Sequence, residues 1–96
     1  GKEKMTMLDL IDRLKKDGKK TGYIQSVFLS LTKVMASQES FDIHTQGADE
    51  LMRIVFKRTC YARSIAGYLA ALHESGYLTM QEYRQVASDM GVTVYE

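Results

Sequence analysis

Apolar positions repeat with helical spacing in four stretches of the chain. Within each stretch they are three or four residues apart, which places them on one face of an α-helix. The stretches predict helices over about residues 7–16, 23–38, 46–74 and 80–90. The chain contains no proline, so nothing in the sequence interrupts helices of this length. We therefore predict an all-α, compact four-helix domain over residues 1–96, with the long third helix as its spine.

Two of the predicted helices begin with a capping box, in which a hydroxyl and a carboxylate three residues apart bond free backbone amides. Thr6 and Asp9 provide this pair before the first helix. Thr79 and Glu82 provide it before the fourth. Glycines, which readily take the left-handed conformation of a helix end, follow three of the helices. These glycines are Gly18, Gly76 and Gly91.

The predicted third helix carries an apolar seam whose positions are spaced alternately by three and four residues, as in a coiled coil. The seam consists of Ala48, Leu51, Val55, Arg58, Ala62, Ile65, Leu69 and Leu72. Its one charged member is Arg58, which can fix the pairing of two helices at some cost in stability. A break of the helix within residues 59–64, where polar and β-branched residues cluster, is the competing interpretation.

Further apolar residues lie off this seam, namely Ile54, Phe56, Tyr61 and Tyr68. A helix that is apolar on more than one face must bury more than one face, against its own chain or against a second copy. Small residues in its second half also permit the close approach of another helix. We therefore predict a non-catalytic protein–protein interaction module that self-associates through the third helix. The predicted contact residues are Ala62, Ile65, Ala66, Leu69 and Leu72.

Positive charge is distributed unevenly, although the formal net charge is only +1. Basic residues cluster before residue 21, and no acidic residue occurs from residue 51 to 72. This distribution supports an alternative hypothesis, a small nucleic-acid-binding regulator, although dedicated nucleic-acid domains are usually strongly basic overall. The candidate contacts for nucleic acid or an acidic partner are Arg53, Lys57, Arg58, Arg63, Lys15, Lys16, Lys19 and Lys20.

The sequence contains no recognisable motif for a nucleophile, a nucleotide or a zinc ion. Cys60 lies between Arg58 and Arg63, and neighbouring cations favour a reactive thiolate. However, His73 lies thirteen residues further along the same predicted helix, about 20 Å away, which is too far to act as its base. We therefore predict a structural, at least half-buried cysteine, and neither enzymatic activity, a cofactor, a metal site nor a small-molecule substrate.

The segment Gly76-Tyr77-Leu78-Thr79, followed by Glu82-Tyr83, resembles the second half of an EF-hand loop. The ligand positions of the first half fall on Ala71, His73 and Ser75. These residues lack the carboxylates that coordinate Ca²⁺, so we predict a helix–turn–helix connection here rather than a calcium site.

The longest apolar run, Ile65–Leu72, is far shorter than the ~20 residues that cross a bilayer. No signal peptide is recognisable, and the single cysteine cannot close a disulfide within the chain. We therefore predict a cytoplasmic location and no membrane contact. Residues 1–4 are predicted to be a tag remnant or disordered, and residues 92–96 an extended tail.

Overall fold

A computed structural model describes residues 4–94, which form an all-α fold with a long third helix, as predicted. Its helices are α1 (Met7–Lys16), α2 (Gly22–Glu39), α3 (Ile43–Glu74) and α4 (Met80–Met90). α1 and α4 have the predicted bounds, whereas α2 begins one residue and α3 three residues earlier than predicted. The predictions for residues 1–3 and 95–96 lie outside the described residues.

Both predicted capping boxes are present. The backbone amide of Asp9 donates to the Thr6 hydroxyl, and the backbone amide of Thr6 donates to the Asp9 carboxylate at 2.9 Å. The backbone amide of Thr79 donates to Glu82 at 3.0 Å in the same way, and that of Glu82 donates to the Thr79 hydroxyl. Each box satisfies two amides that the first turn of a helix leaves without a partner, so it fixes where α1 and α4 begin.

α3 contains a single kink, at Gly47, among the residues that the structure describes. Gly47 has φ 79° and ψ 165°, a backbone conformation that side-chain-bearing residues rarely adopt. From Ala48 the helix continues through residues 59–64 to Glu74, so the competing interpretation of a break there is wrong. The hydroxyl of Thr59 donates to the carbonyl of Val55 one turn back, so this polar group is satisfied within the continuous helix.

α2 and α3 form an antiparallel hairpin joined by a short connection over residues 40–42. The rings of Tyr23 and Tyr68 are 6.1 Å apart near one end. Towards the other end, Arg58 donates to the side-chain oxygen of Gln38 at 2.8 Å. Because Arg58 precedes Tyr68 whereas Gln38 follows Tyr23, the two helices run in opposite directions.

α1 packs against α4, and α4 packs against the second half of α3. The backbone amide of Met7 donates to Asp89 at 2.9 Å, and Arg13 forms an ion pair with Glu82 at 2.9 Å. Arg13 also donates to the backbone carbonyl of Tyr77, and its guanidinium lies 4.6 Å from the centre of that ring. These contacts connect α1 to the turn between α3 and α4.

Charge is balanced within this group of contacts. Burial disfavours the charged form of Arg13, but hydrogen bonds to Tyr77 and Glu82 outweigh it and raise the pKa of Arg13. The backbone hydrogen bond from Thr79, together with Arg13, lowers the pKa of Glu82 despite some burial. Glu82 therefore remains ionised while it caps α4 and pairs with α1.

The hydrophobic core is formed by residues of all four helices and by Leu78 of the turn before α4. Its members are Met7, Leu10, Ile11, Leu14, Ile24, Leu31, Val34, Ile54, Ile65, Leu69, Leu78, Tyr83, Val86, Ala87 and Met90. The seam predicted on α3 is correct in its second half, where Ile65 and Leu69 are buried. In its first half it is wrong, because Ile54 is buried instead while Val55 is exposed.

The predicted seam fails where Arg58 interrupts it. A guanidinium cannot enter an apolar core without partners, and Arg58 turns to Gln38 at the edge of a groove. The face that carries Val55 and Arg58 therefore opens to solvent. Ile54, one position away, faces Val34 of α2 instead, and both line the opposite side of the hairpin.

Candidate functional site

The molecule consists of two parts that differ in burial. We call residues 39–57, where α2 ends and α3 begins, the hairpin end, and the other described residues, 4–38 and 58–94, the body. Ile54 is buried in the hairpin end, and every other buried residue that the structure describes lies in the body. With overall dimensions of 46 × 26 × 24 Å, the molecule is elongated. The hairpin end therefore consists of the connection between α2 and α3 and the first part of α3, with little of its surface buried.

The solvent-facing side of α3 carries a line of residues that we call the outer stripe: Asp49, Met52, Phe56, Cys60 and Arg63. They are spaced by three, four, four and three residues and are all exposed. Phe56 and Ile65 of the core are nine residues apart, which at about 3.6 residues per turn places them on opposite faces of α3. The outer stripe thus lies opposite the core.

The middle of the outer stripe is apolar. Met52 is 69% exposed and Phe56 is 70% exposed. Val55, beside them, is also exposed. Single exposed apolar side chains are normal on a protein surface. Three large ones within two turns of one helix form a contiguous apolar surface, and such surfaces commonly mark contacts with other molecules.

The two ends of the outer stripe carry opposite charges. Asp49 and Arg63 are both exposed, and among residues 4–94 the side chain of neither forms an ion pair or a hydrogen bond. They are fourteen residues apart, or about 21 Å along the helix, so they cannot pair with each other within one chain. Both charges remain available to a partner.

The residues predicted from the sequence to mediate self-association lie mainly inside the molecule. Ile65 and Leu69 are 0% exposed, and Ala66 is 6% exposed. Ala62 and Leu72 are partly buried. The buried members fill the core of the body, so a second chain cannot contact them while the fold remains intact. Self-association through α3 stays a prediction, but it requires a different face of the helix.

The close helix approach expected at the small residues of α3 does not occur at Gly67. A Cβ atom built on Gly67 meets no atom within 4 Å. This glycine lies on the outward face of α3, four residues beyond Arg63 of the outer stripe. The surface there is open.

The basic residues of α3 divide between two sides of the helix. Arg53 and Lys57 line a groove of about 290 Å³ between α2 and α3, together with Lys33. Arg53 forms an ion pair with Glu50 one turn away, and the hydrogen bond between the two side chains raises the pKa of Arg53. Glu50 therefore balances the charge of Arg53, one of the three cations at this groove.

Arg58 and Arg63 line a second groove, of about 380 Å³, on the other side of the hairpin. Gln38 and the segment after α4, including Val92, also contribute to it. Arg58 is committed to its hydrogen bond with Gln38. Arg63 is the exposed cation of this pair.

The remaining predicted basic contacts lie at the opposite end of the molecule. These are Lys15, Lys16, Lys19 and Lys20, which follow one another around the end of α1. Lys19 lies 5.5 Å from the ring centre of Tyr77, just beyond the end of α3. Lys57 and Glu74 are separated by about 25 Å of helix. The structure therefore distributes the predicted nucleic-acid contacts over three surfaces rather than joining them in one.

No group of three or more His, Cys, Asp or Glu side chains that could hold a metal ion occurs within residues 4–94. Cys60 is exposed, so the prediction of an at least half-buried cysteine is wrong. His73 instead contacts the turn before α4: its Nδ1 lies 3.0 Å from the carbonyl oxygen of Leu78, and its ring stacks on Tyr83. None of the helices in the described part of the chain is long and apolar enough to cross a membrane.

Comparison of the chain with protein-family models, with curated proteins and with solved structures found no match. The outer stripe therefore has to be interpreted from its own geometry and chemistry.

Sequence reasoning placed Phe56 off the predicted seam but did not recognise the outer stripe. One signal was present, since Ile54, Tyr61 and Ile65 form an alternative apolar line, spaced by seven and four residues. Choosing that line for the core would have left Met52 and Phe56 on the outside.

Proposed function

We propose that this protein is a non-catalytic helical interaction module that self-associates through the outer stripe of α3. The observation that carries the proposal is the exposure of Met52 and Phe56 on the side of α3 that faces away from the core. These side chains do not contribute to the packing of the monomer core. A second copy that covered them would remove their apolar surface from water.

The gain from such contact is moderate. Fully burying a Met or Phe side chain contributes about 1.5–3 kcal/mol relative to leaving it exposed. A symmetric pair of chains buries two copies of each, whereas association itself costs an estimated 4–15 kcal/mol in lost freedom. Because this gain and this cost are of similar size, we expect a weak and reversible dimer.

The wide separation of the cations argues against nucleic-acid binding as the main function. A single nucleic-acid strand or duplex needs several cations along one continuous surface. Here Lys57, Arg63 and Lys19 lie on different surfaces. Nucleic-acid binding stays an untested alternative. Its own test is retardation of DNA or RNA at low salt, and binding should weaken steeply as salt is added.

Sedimentation equilibrium tests the proposal. The wild-type chain is expected to shift from monomer to dimer as its concentration rises from about 1 to 200 µM, a range that spans the dissociation constants of weak micromolar dimers. Phe56→Glu places a charge in the middle of the outer stripe and is expected to keep the chain monomeric throughout.

Leu29→Glu is the matched control, because Leu29 is an exposed apolar residue of α2, outside the outer stripe. This variant should associate like the wild type. A wild-type chain that remains monomeric at 200 µM, or a Phe56→Glu variant that still dimerises, contradicts the proposal. Leu69→Glu is unsuitable for this purpose, because a charge at a fully buried position disrupts the fold itself.

A further inference from the structure

We infer that the dimer of the proposed function is antiparallel, with its two-fold axis passing beside Phe56, and that Asp49 of each chain pairs with Arg63 of the other. This inference rests on the proposed function and specifies the geometry of the partner on the same surface. It follows from the order of residues along the outer stripe.

The outer stripe is symmetric about Phe56. Asp49 lies seven residues before Phe56 and Arg63 lies seven residues after it. Met52 lies four residues before Phe56 and Cys60 four residues after it. When two identical helices pack antiparallel about Phe56, each residue therefore meets the one at the same distance on the other side. Phe56 meets its own copy, Met52 meets Cys60, and Asp49 meets Arg63.

Charge selects this arrangement over a parallel one. A parallel dimer would bring Asp49 next to Asp49 and Arg63 next to Arg63, and like charges across an interface are unfavourable. The antiparallel arrangement replaces both repulsions with two ion pairs between opposite charges. These two side chains have no partner within residues 4–94, so pairing them breaks no existing contact.

The size of the contact agrees with a reversible dimer. The outer stripe extends for about 21 Å from Asp49 to Arg63. The area that two helices bury over this length is smaller than the ≈ 800 Å² per partner of a standard interface. Beyond Arg63, the open space at Gly67 leaves room for the hairpin end of the second copy.

Disulfide crosslinking tests the direction of the two helices. In the antiparallel dimer the two Cys60 residues are eight residues apart along the helix axes, or about 12 Å, which exceeds the reach of a disulfide. Mild oxidation of the wild type at associating concentration should therefore give no covalent dimer. Met52→Cys places a thiol opposite Cys60 of the second copy, so this variant should give a covalent dimer. Met52→Cys combined with Cys60→Ser is the control and should give none.

Charge reversal tests the register. Asp49→Lys or Arg63→Glu alone should weaken dimerisation by about tenfold, because each creates two repulsive contacts per dimer. The double variant Asp49→Lys/Arg63→Glu exchanges the charges and should return the dissociation constant to within about threefold of the wild type. Glu74→Lys, which reverses an exposed charge at the end of α3 away from the outer stripe, is the control and should change it little.

The outcomes separate this inference from the proposed function. Covalent dimers of the oxidised wild type, or a double variant as weak as the single ones, overturn the antiparallel arrangement while a sedimentation dimer still supports self-association. A wild-type chain that is monomeric at every concentration overturns both.

Discussion

The body and the hairpin end are built partly from the same helix but stabilised very differently. In the body, α3 packs against α2 and α4, and its residues Ile65 and Leu69 are fully buried. In the hairpin end, it buries Ile54, which lines the groove between α2 and α3, and leaves Met52 and Phe56 exposed to solvent. The difference shows that a long helix can be supported at one end by a core and can present the other end as a surface.

The same comparison separates residues that maintain the fold from residues that are available to a partner. The small residue Ala66 and the apolar seam of the second half belong to the body. Asp49 and Arg63, which form no ion pair within residues 4–94, border the exposed apolar side chains. Substitutions in the two parts of α3 should therefore affect different properties.

The largest expected effect is on the stability of the body. Leu69→Ala should lower the free energy of unfolding by about 2–5 kcal/mol, because it removes a fully buried side chain and leaves a cavity. Phe56→Ala should change it by less than about 0.5 kcal/mol, because Phe56 is mostly exposed. Urea unfolding at low micromolar concentration, where association contributes little, measures both. Equal losses for the two variants would remove the distinction between body and hairpin end.

A smaller difference is expected in the local stability of the wild-type chain. Amides of residues 51–57 should exchange at least about tenfold faster, relative to their intrinsic rates, than amides of residues 65–72, equivalent to about 1.4 kcal/mol. The reason is that few buried contacts oppose opening of the hairpin end. Native-state hydrogen exchange followed by NMR at low protein concentration measures this. Uniform protection along α3 would contradict it.

The smallest expected effect concerns the polar contacts that join α1 to α4. Glu82→Gln keeps an oxygen for the backbone amide of Thr79 but loses the ion pair with Arg13, so it should destabilise the body by about 0.5–1 kcal/mol at pH 7. Folding lowers the pKa of Glu82 from its ordinary value of 4.5. The ionised carboxylate therefore stabilises the folded state at pH values above 4.5. The contribution is lost as the pH falls through the lower pKa of the folded state.

Urea unfolding of the wild type and of Glu82→Gln at several pH values measures this contribution. The difference between them should be constant from pH 7 to about pH 5 and should shrink at more acidic pH. A difference that grows as the pH falls would show that Glu82 is not stabilised in its charged form.

The helices could be predicted from the sequence because their signals are local. The capping residues Thr6 and Thr79 and the three- and four-residue spacing of α1 and α4 are sufficient to fix those helices. The kink at Gly47 was not predicted, because a single glycine in a helical pattern does not reveal its backbone conformation.

The candidate site was harder to predict, because it depends on which face of α3 the other helices cover. Leu51–Val55 and Ile54–Tyr61 are both apolar lines, and spacing alone does not distinguish them. Packing against Val34 of α2 decides between them, and only the three-dimensional arrangement shows it. Once the core face is known, the exposure of Phe56 and its neighbours follows from helix geometry.

The most direct test of the account is an NMR dilution series of the wild-type chain, read at each backbone amide. The account predicts concentration-dependent chemical shifts that are confined to residues around 49–63 of α3 and follow a single dimerisation curve, with the amides of α4 unchanged. Shifts centred on the other exposed apolar residues, Leu8 and Leu29, or spectra that do not change with concentration, would contradict it.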